Sequence, residues 1–177
     1  SDMNTLVALL LCAGASNPSV SELVSEAASV SLELSRLTAR GPRWTERSYW
    51  DIVFDRPEIA SIAELLRKAQ PYDRIKAVLS IAVYRGYLQT RGARYSLVVT
   101  VQKSAPPAIV FALRPVHEPQ TQFGYRLTGN DGERFWHILS AALHEKASRG
   151  TPKRTERIVE PASSEDISGP PPTPPAR

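Results

Sequence analysis

Between Arg67 and Arg114 the chain carries nine Lys or Arg residues and one acid, Asp73, a local charge of +8 in a protein whose total is +4. Clustered cations do one kind of chemistry well. They hold polyanions, because each phosphate they neutralise sheds condensed counterions. Bond-making chemistry has weaker candidates. No glycine pattern frames a serine as a nucleophile elbow would, and no Gly-rich phosphate loop occurs. His117, His137 and His144 are too scattered for a metal site, and Cys12 sits in an apolar run with no cationic neighbour to activate its thiol. The expectation is a binding protein and not an enzyme, with no cofactor and no metal.

The 177 residues, 42% of them hydrophobic, have room for one domain or two small ones. Ser1 and Asp2 precede Met3, which reads as the native start. A single cysteine excludes an internal disulfide and fits a reducing, cytoplasmic setting. Leu6 to Cys12 followed by Ala13-Gly14-Ala15 has the outline of a secretory signal, but no Lys or Arg precedes it. No apolar run is long enough to span a bilayer, so no membrane partner is expected.

The elements that would position the cations read as mainly helical. Asn4 can cap a short apolar helix through Ala13, and Ser19-Val20-Ser21-Glu22 is a capping box. Behind it Val20, Leu23, Val24, Ala27, Val30, Leu34 and Leu37 keep a helical period up to Arg40-Gly41-Pro42, as one helix or as two with a break near Ala28-Ser29. Arg47 to Phe54 reads as a strand whose Trp50 and Phe54, with Trp44 and Tyr49, suit core packing better than an exposed stacking surface. Asp55-Arg56-Pro57-Glu58 opens a helix that ends near Gln70, and Pro71 suits the first turn of another, with Tyr72, Ile75, Leu79, Ala82 and Val83 inward. After Gly86 the period becomes two: Tyr95, Leu97, Val99 and Val101, then Ile109, Phe111 and Leu113, then Phe123, Tyr125 and Leu127 each line one face of a strand. A last helix runs from about Asn130 to Gly150. From Arg149 onward aromatics vanish and seven prolines appear, which predicts a disordered, partly polyproline tail.

Helix, connection, helix, strand, turn, strand is the layout of a helix-turn-helix with a β wing. Ile75, Leu79 and Ala82, then Gly86-Tyr87-Leu88 and Arg91-Gly92-Ala93-Arg94-Tyr95-Ser96-Leu97, resemble the recognition helix and wing of MarR- and PadR-type transcriptional regulators; Tyr125-Arg126-Leu127-Thr128 with Gly129 and Gly132 is similar to the passage that closes such domains. The resemblance implies an α+β, mainly helical fold: a winged helix-turn-helix over 55–148, N-terminal helices over 3–54 that read as a second degenerate winged helix or a dimer seam, and the tail over 149–177. It implies a homodimeric regulator that reads double-stranded DNA, with Arg74, Lys76, Ala77, Ser80 and Tyr84 on the outward helix face, Arg91 and Arg94 at the start of the wing, and Lys103 beyond it. Two alternatives use other partners. One is a winged-helix protein-interaction module, similar to the subunit that accompanies kleisin in bacterial chromosome condensation, with the Pro-rich tail as a further protein contact. The other is a viral or phage RNA-binding assembly protein.

Overall fold

The computed structural model describes residues 18–73 and 79–160. One eight-stranded antiparallel sheet dominates it, so the expectation of a mainly helical winged helix-turn-helix is overturned. In chain order the elements are α1 (Val20–Ser25), β1 (Ser29–Gly41), β2 (Trp44–Phe54), α2 (Arg56–Leu65) with a 3-10 turn at Leu66–Lys68, β3 (Gln70–Pro71), β4 (Ser80–Gln89), β5 (Arg94–Gln102), β6 (Ala108–Pro115), β7 (Phe123–Leu127), α3 (Gly129–Arg149) and β8 (Arg154–Val159). The strands lie in the order β3-β7-β6-β5-β4-β1-β2-β8, so a single sheet crosses the border expected at residue 54.

Both capping boxes are present: Ser19 with Glu22 opens α1, and Asp55 with Glu58 opens α2. The segment after α1 brings the first correction. The chain turns into β1 at Ser29, because Val30, Leu32 and Leu34 alternate with Ser31, Glu33 and Ser35, and a period of two lets the apolar set face the core along an extended strand. Val30, Leu34 and Leu37 fit a helical spacing only if Leu32 is passed over.

The second correction concerns the supposed recognition helix. Gln70 and Pro71 pair with β7, and the chain from Ser80 onward is strand; Ile75 and its neighbours at 74–78 lie outside the described residues. Leu79, Ala82 and Val83 imitate a helical face because β4 is apolar on both sides, which fills every spacing at once. Gly86 is not a helix stop. It pairs with Leu32 and Leu97 in mid-sheet, where an added Cβ would lie 1.8 Å from the Ser31 carbonyl oxygen.

The third correction is the tail. Residues 154–159 form β8 along the edge of β2, with Arg154 stacked 3.9 Å from the centre of the Tyr49 ring and Arg157 4.2 Å from that of Trp44. Ser48 meets Thr155 at 3.2 Å, and Tyr49 donates to Glu156 at 2.9 Å. A segment poor in aliphatics is thus held by ladder bonds and arginine stacking in place of burial. Residues 161–177, like the helix expected at Asn4 to Ala13, lie outside the described residues.

The three described helices lie on one side of the sheet. Leu23 and Val24 of α1, Ile59 and Ala63 of α2, and Phe135, Leu139 and Leu143 of α3 form one core with the inward residues of β1, β2 and β4 to β7. Phe135 meets Phe111 edge to face at 5.3 Å, and Trp136 lies 6.0 Å from Tyr84. Gly132 lets α3 start against the sheet, since a Cβ there would lie 2.7 Å from the Pro107 carbonyl oxygen. No described helix is long and apolar enough to cross a membrane.

Candidate functional site

With the helices on one side, the other face of the sheet has no described element over it. An antiparallel sheet with one wet face should show polar residues there. Strand β4 does not. It turns Ala82, Tyr84 and Leu88 to the core, yet its opposite positions are Ile81, Val83, Arg85 and Tyr87, with Ile81 52% and Val83 44% exposed. Residues directly opposite in an antiparallel ladder share a face. Register carries the same face across the sheet: Val83 faces Thr100, which faces Val110, which faces Arg126, while Arg85 faces Val98, which faces Ala112; of these Thr100, Val98 and Ala112 are half-buried and Val110 is buried. Across β1 and β2 the same face adds Val53, opposite Ser31, and Leu37, opposite Arg47, both exposed.

Arginines border this apolar centre. Arg94 lies over the Tyr87 ring at 4.1 Å, Arg114 donates to Gln122 at 2.8 Å, and Arg126 approaches the Tyr72 ring at 5.3 Å with its Nε buried and without a hydrogen-bond partner. Strands β4 to β7 contain no Asp or Glu. Arg85 faces Glu33 across β1, but neither it nor Arg94, Arg114 or Arg126 forms an ion pair among the described residues. The contrast with the helix side is direct: Lys68 pairs with Asp131 at 3.1 Å, Lys146 with Glu58 at 2.9 Å, and Arg67 with Glu64 at 3.2 Å. At the β2 and β8 end of the open face the charges are paired as well, Lys153 with Asp51 and Arg154 with Glu156. The Asp51 carboxylate, by hydrogen bond and by charge, raises the Lys153 ammonium above its ordinary pKa.

The residues expected to touch DNA do not converge. Arg74, Lys76 and Ala77 lie outside the described residues. Ser80 is exposed at the start of β4, opposite Gln102, and Lys103 follows at the same end of the sheet. Arg91 and Arg94 lie at the other end, along a strand of nine residues that spans roughly 30 Å at the usual rise. Tyr84 is a core residue, 7% exposed, and burial raises its phenol above the ordinary value while a side-chain hydrogen bond from Ser140 opposes this. Of the described members of the set, Arg94 alone belongs to the bordered patch.

Arg85, Arg114, Arg126, Tyr87 and Val83 were missed as site residues, yet a signal for two of them was present. Once Ile109, Phe111 and Leu113, and then Phe123, Tyr125 and Leu127, are read as inward faces, Val110, Arg114 and Arg126 must point the other way. Arg85 and Tyr87 were hidden by the helical reading of β4. No family model matches the chain, and neither a curated protein nor a solved structure matches it.

Proposed function

We propose that this chain is a docking module that holds another protein against the open face of its sheet, and that the partner offers an apolar ridge flanked by acids. The observation that carries this reading is β4, a strand apolar on both faces although only one is covered by described elements. Strands with that pattern are ordinarily buried on both sides. An apolar centre with tyrosine and arginine around it is also the composition of interface cores, where these two residues supply most of the anchoring energy. The absence of acids on β4 to β7 selects the partner's charge. Two copies of this chain face to face would set arginine against arginine.

The test is affinity capture by the full chain beside Val83→Asp and Tyr87→Ala variants, with direct binding of each captured protein measured afterwards. An acidic protein that binds the wild type and loses at least tenfold with either variant supports the reading. Capture of the same proteins by all three chains sinks it.

The unpaired arginines favour a second reading, single-stranded nucleic acid laid along the same face with bases against Tyr87. Double-stranded DNA fits less well, because the major groove admits a helix or a two-stranded ribbon and not the face of a wide sheet. A single-stranded DNA or RNA pool whose binding weakens steeply with salt, and more steeply for wild type than for Arg114→Ala, would replace the first reading by this one.

A further inference from the structure

On the helix side a cleft of about 810 Å³ opens between α1, α2 and the tip of the β4–β5 hairpin. Its volume is that of a small-molecule site. Three arginines from separate places in the sequence line it: Arg56 at the start of α2, Arg67 in the turn after α2, and Arg91 at the hairpin tip. Glu64 holds Arg67 at 3.2 Å, whereas Arg56 and Arg91 pair with no carboxylate among the described residues. Glu26 is the other acid of the wall.

The hairpin tip is internally closed. Thr90 N donates to the Ala93 carbonyl at 2.9 Å, Ala93 N donates to the Thr90 hydroxyl at 3.0 Å, and the Gln89 amide donates to the Thr90 carbonyl at 2.8 Å. Those bonds leave the N–H groups of Arg91 and Gly92 without a described carbonyl partner, and both residues line the cleft. Fixed amide donors beside guanidinium groups are the usual equipment for a phosphate. The ionised carboxylates of Glu26 and Glu64 are acceptors only, so a ligand that reaches them must bring donors such as hydroxyl groups. Alanine at position 60, exposed on α2, keeps the space open.

We propose that this cleft binds a small phosphate ester that also carries hydroxyl groups, the phosphate held by Arg56, Arg91 and the hairpin amides, the hydroxyls by Glu26. The site faces away from the open side of the sheet, so it stands or falls independently of the docking reading. Titration of the full chain with ribose phosphate, followed by amide chemical shifts and calorimetry, tests it. Saturable binding is expected, with shifts at Arg91 and Gly92, a loss of about tenfold in Arg91→Ala, as for a charged hydrogen bond, and a comparable or larger loss in Ala60→Phe, which fills the cleft without altering charge. Thermal melts of both variants confirm that they fold. No saturable binding, unchanged affinity in either folded variant, or inorganic phosphate binding as tightly as the ester would overturn the proposal.

Discussion

The guanidinium of Arg94 lies 4.1 Å from the centre of the Tyr87 ring, so a cation on β5 is laid flat on the open face by an aromatic residue of β4. The pair fixes a side chain that would otherwise sample many rotamers, which lowers the ordering cost of any contact that uses it. Tyr87→Phe keeps the ring and should leave both stability and partner binding near wild type. Tyr87→Ala should cost about 1 kcal/mol or less in urea denaturation, the scale of an exposed cation–π contact, while reducing partner binding by a much larger factor. Equal losses of stability and binding would make Tyr87 a structural residue only.

Gly86 admits β4 alongside β1, and any side chain there must displace backbone, because the nearest atoms to an added Cβ are the Ser31 carbonyl oxygen at 1.8 Å and carbon at 2.8 Å. Backbone in mid-sheet has no rotamer to yield. Gly86→Ala should therefore destabilise by about 2 kcal/mol or more, at the upper end of overpacking costs, and amide exchange should accelerate in β1 and β4 before it does in β6. A melting temperature within a degree or so of wild type would show that the two strands separate freely.

These two positions show why part of the fold was legible and part was not. The strands β5, β6 and β7 and the helices α2 and α3 announce themselves because the large apolar residues of each recur at one unambiguous period. Strand β4 carries Ala82, Tyr84 and Leu88 on one side and Ile81, Val83 and Tyr87 on the other, and a sequence apolar at every spacing has no period to read. The feature that hid the strand is the one that now marks the candidate site. Strand β8 was hidden for the opposite reason, since Arg154-Thr155-Glu156-Arg157 shows almost nothing to bury and its partners Tyr49 and Trp44 lie about a hundred residues away.

Two buried phenols give the fold a pH limit. Tyr125 is raised above the ordinary value by burial first, then by Tyr95 and Glu22, and it donates to the Pro18 carbonyl at 2.6 Å; Tyr84 is raised by burial. Both hold their protons more tightly folded than unfolded. Their contribution is fully present below the unfolded value of about 10 and is lost as pH rises through the folded values. Denaturant midpoints should thus stay level to about pH 9 and fall above it, and the latest component of the tyrosine absorbance titration should shrink in Tyr84→Phe and Tyr125→Phe. If neither variant changes that component, the buried rings are not the late-titrating groups.

The arginine stacking on β2 makes a claim about local stability that differs from any claim about the whole fold. Arg154 and Arg157 each sit on an aromatic ring of the neighbouring strand, and β8 has no aliphatic residue in the core. An edge strand held in this way should open independently of the rest of the sheet. Replacing both arginines by alanine removes two exposed cation–π contacts of about 0.5–1 kcal/mol apiece, so amide exchange across 154–159 should speed up roughly fivefold to thirtyfold while the global unfolding midpoint moves little. Exchange in β8 that stays as slow as in β5 would mean that ladder hydrogen bonds alone hold the edge, and that Trp44 and Tyr49 serve some purpose other than clasping it.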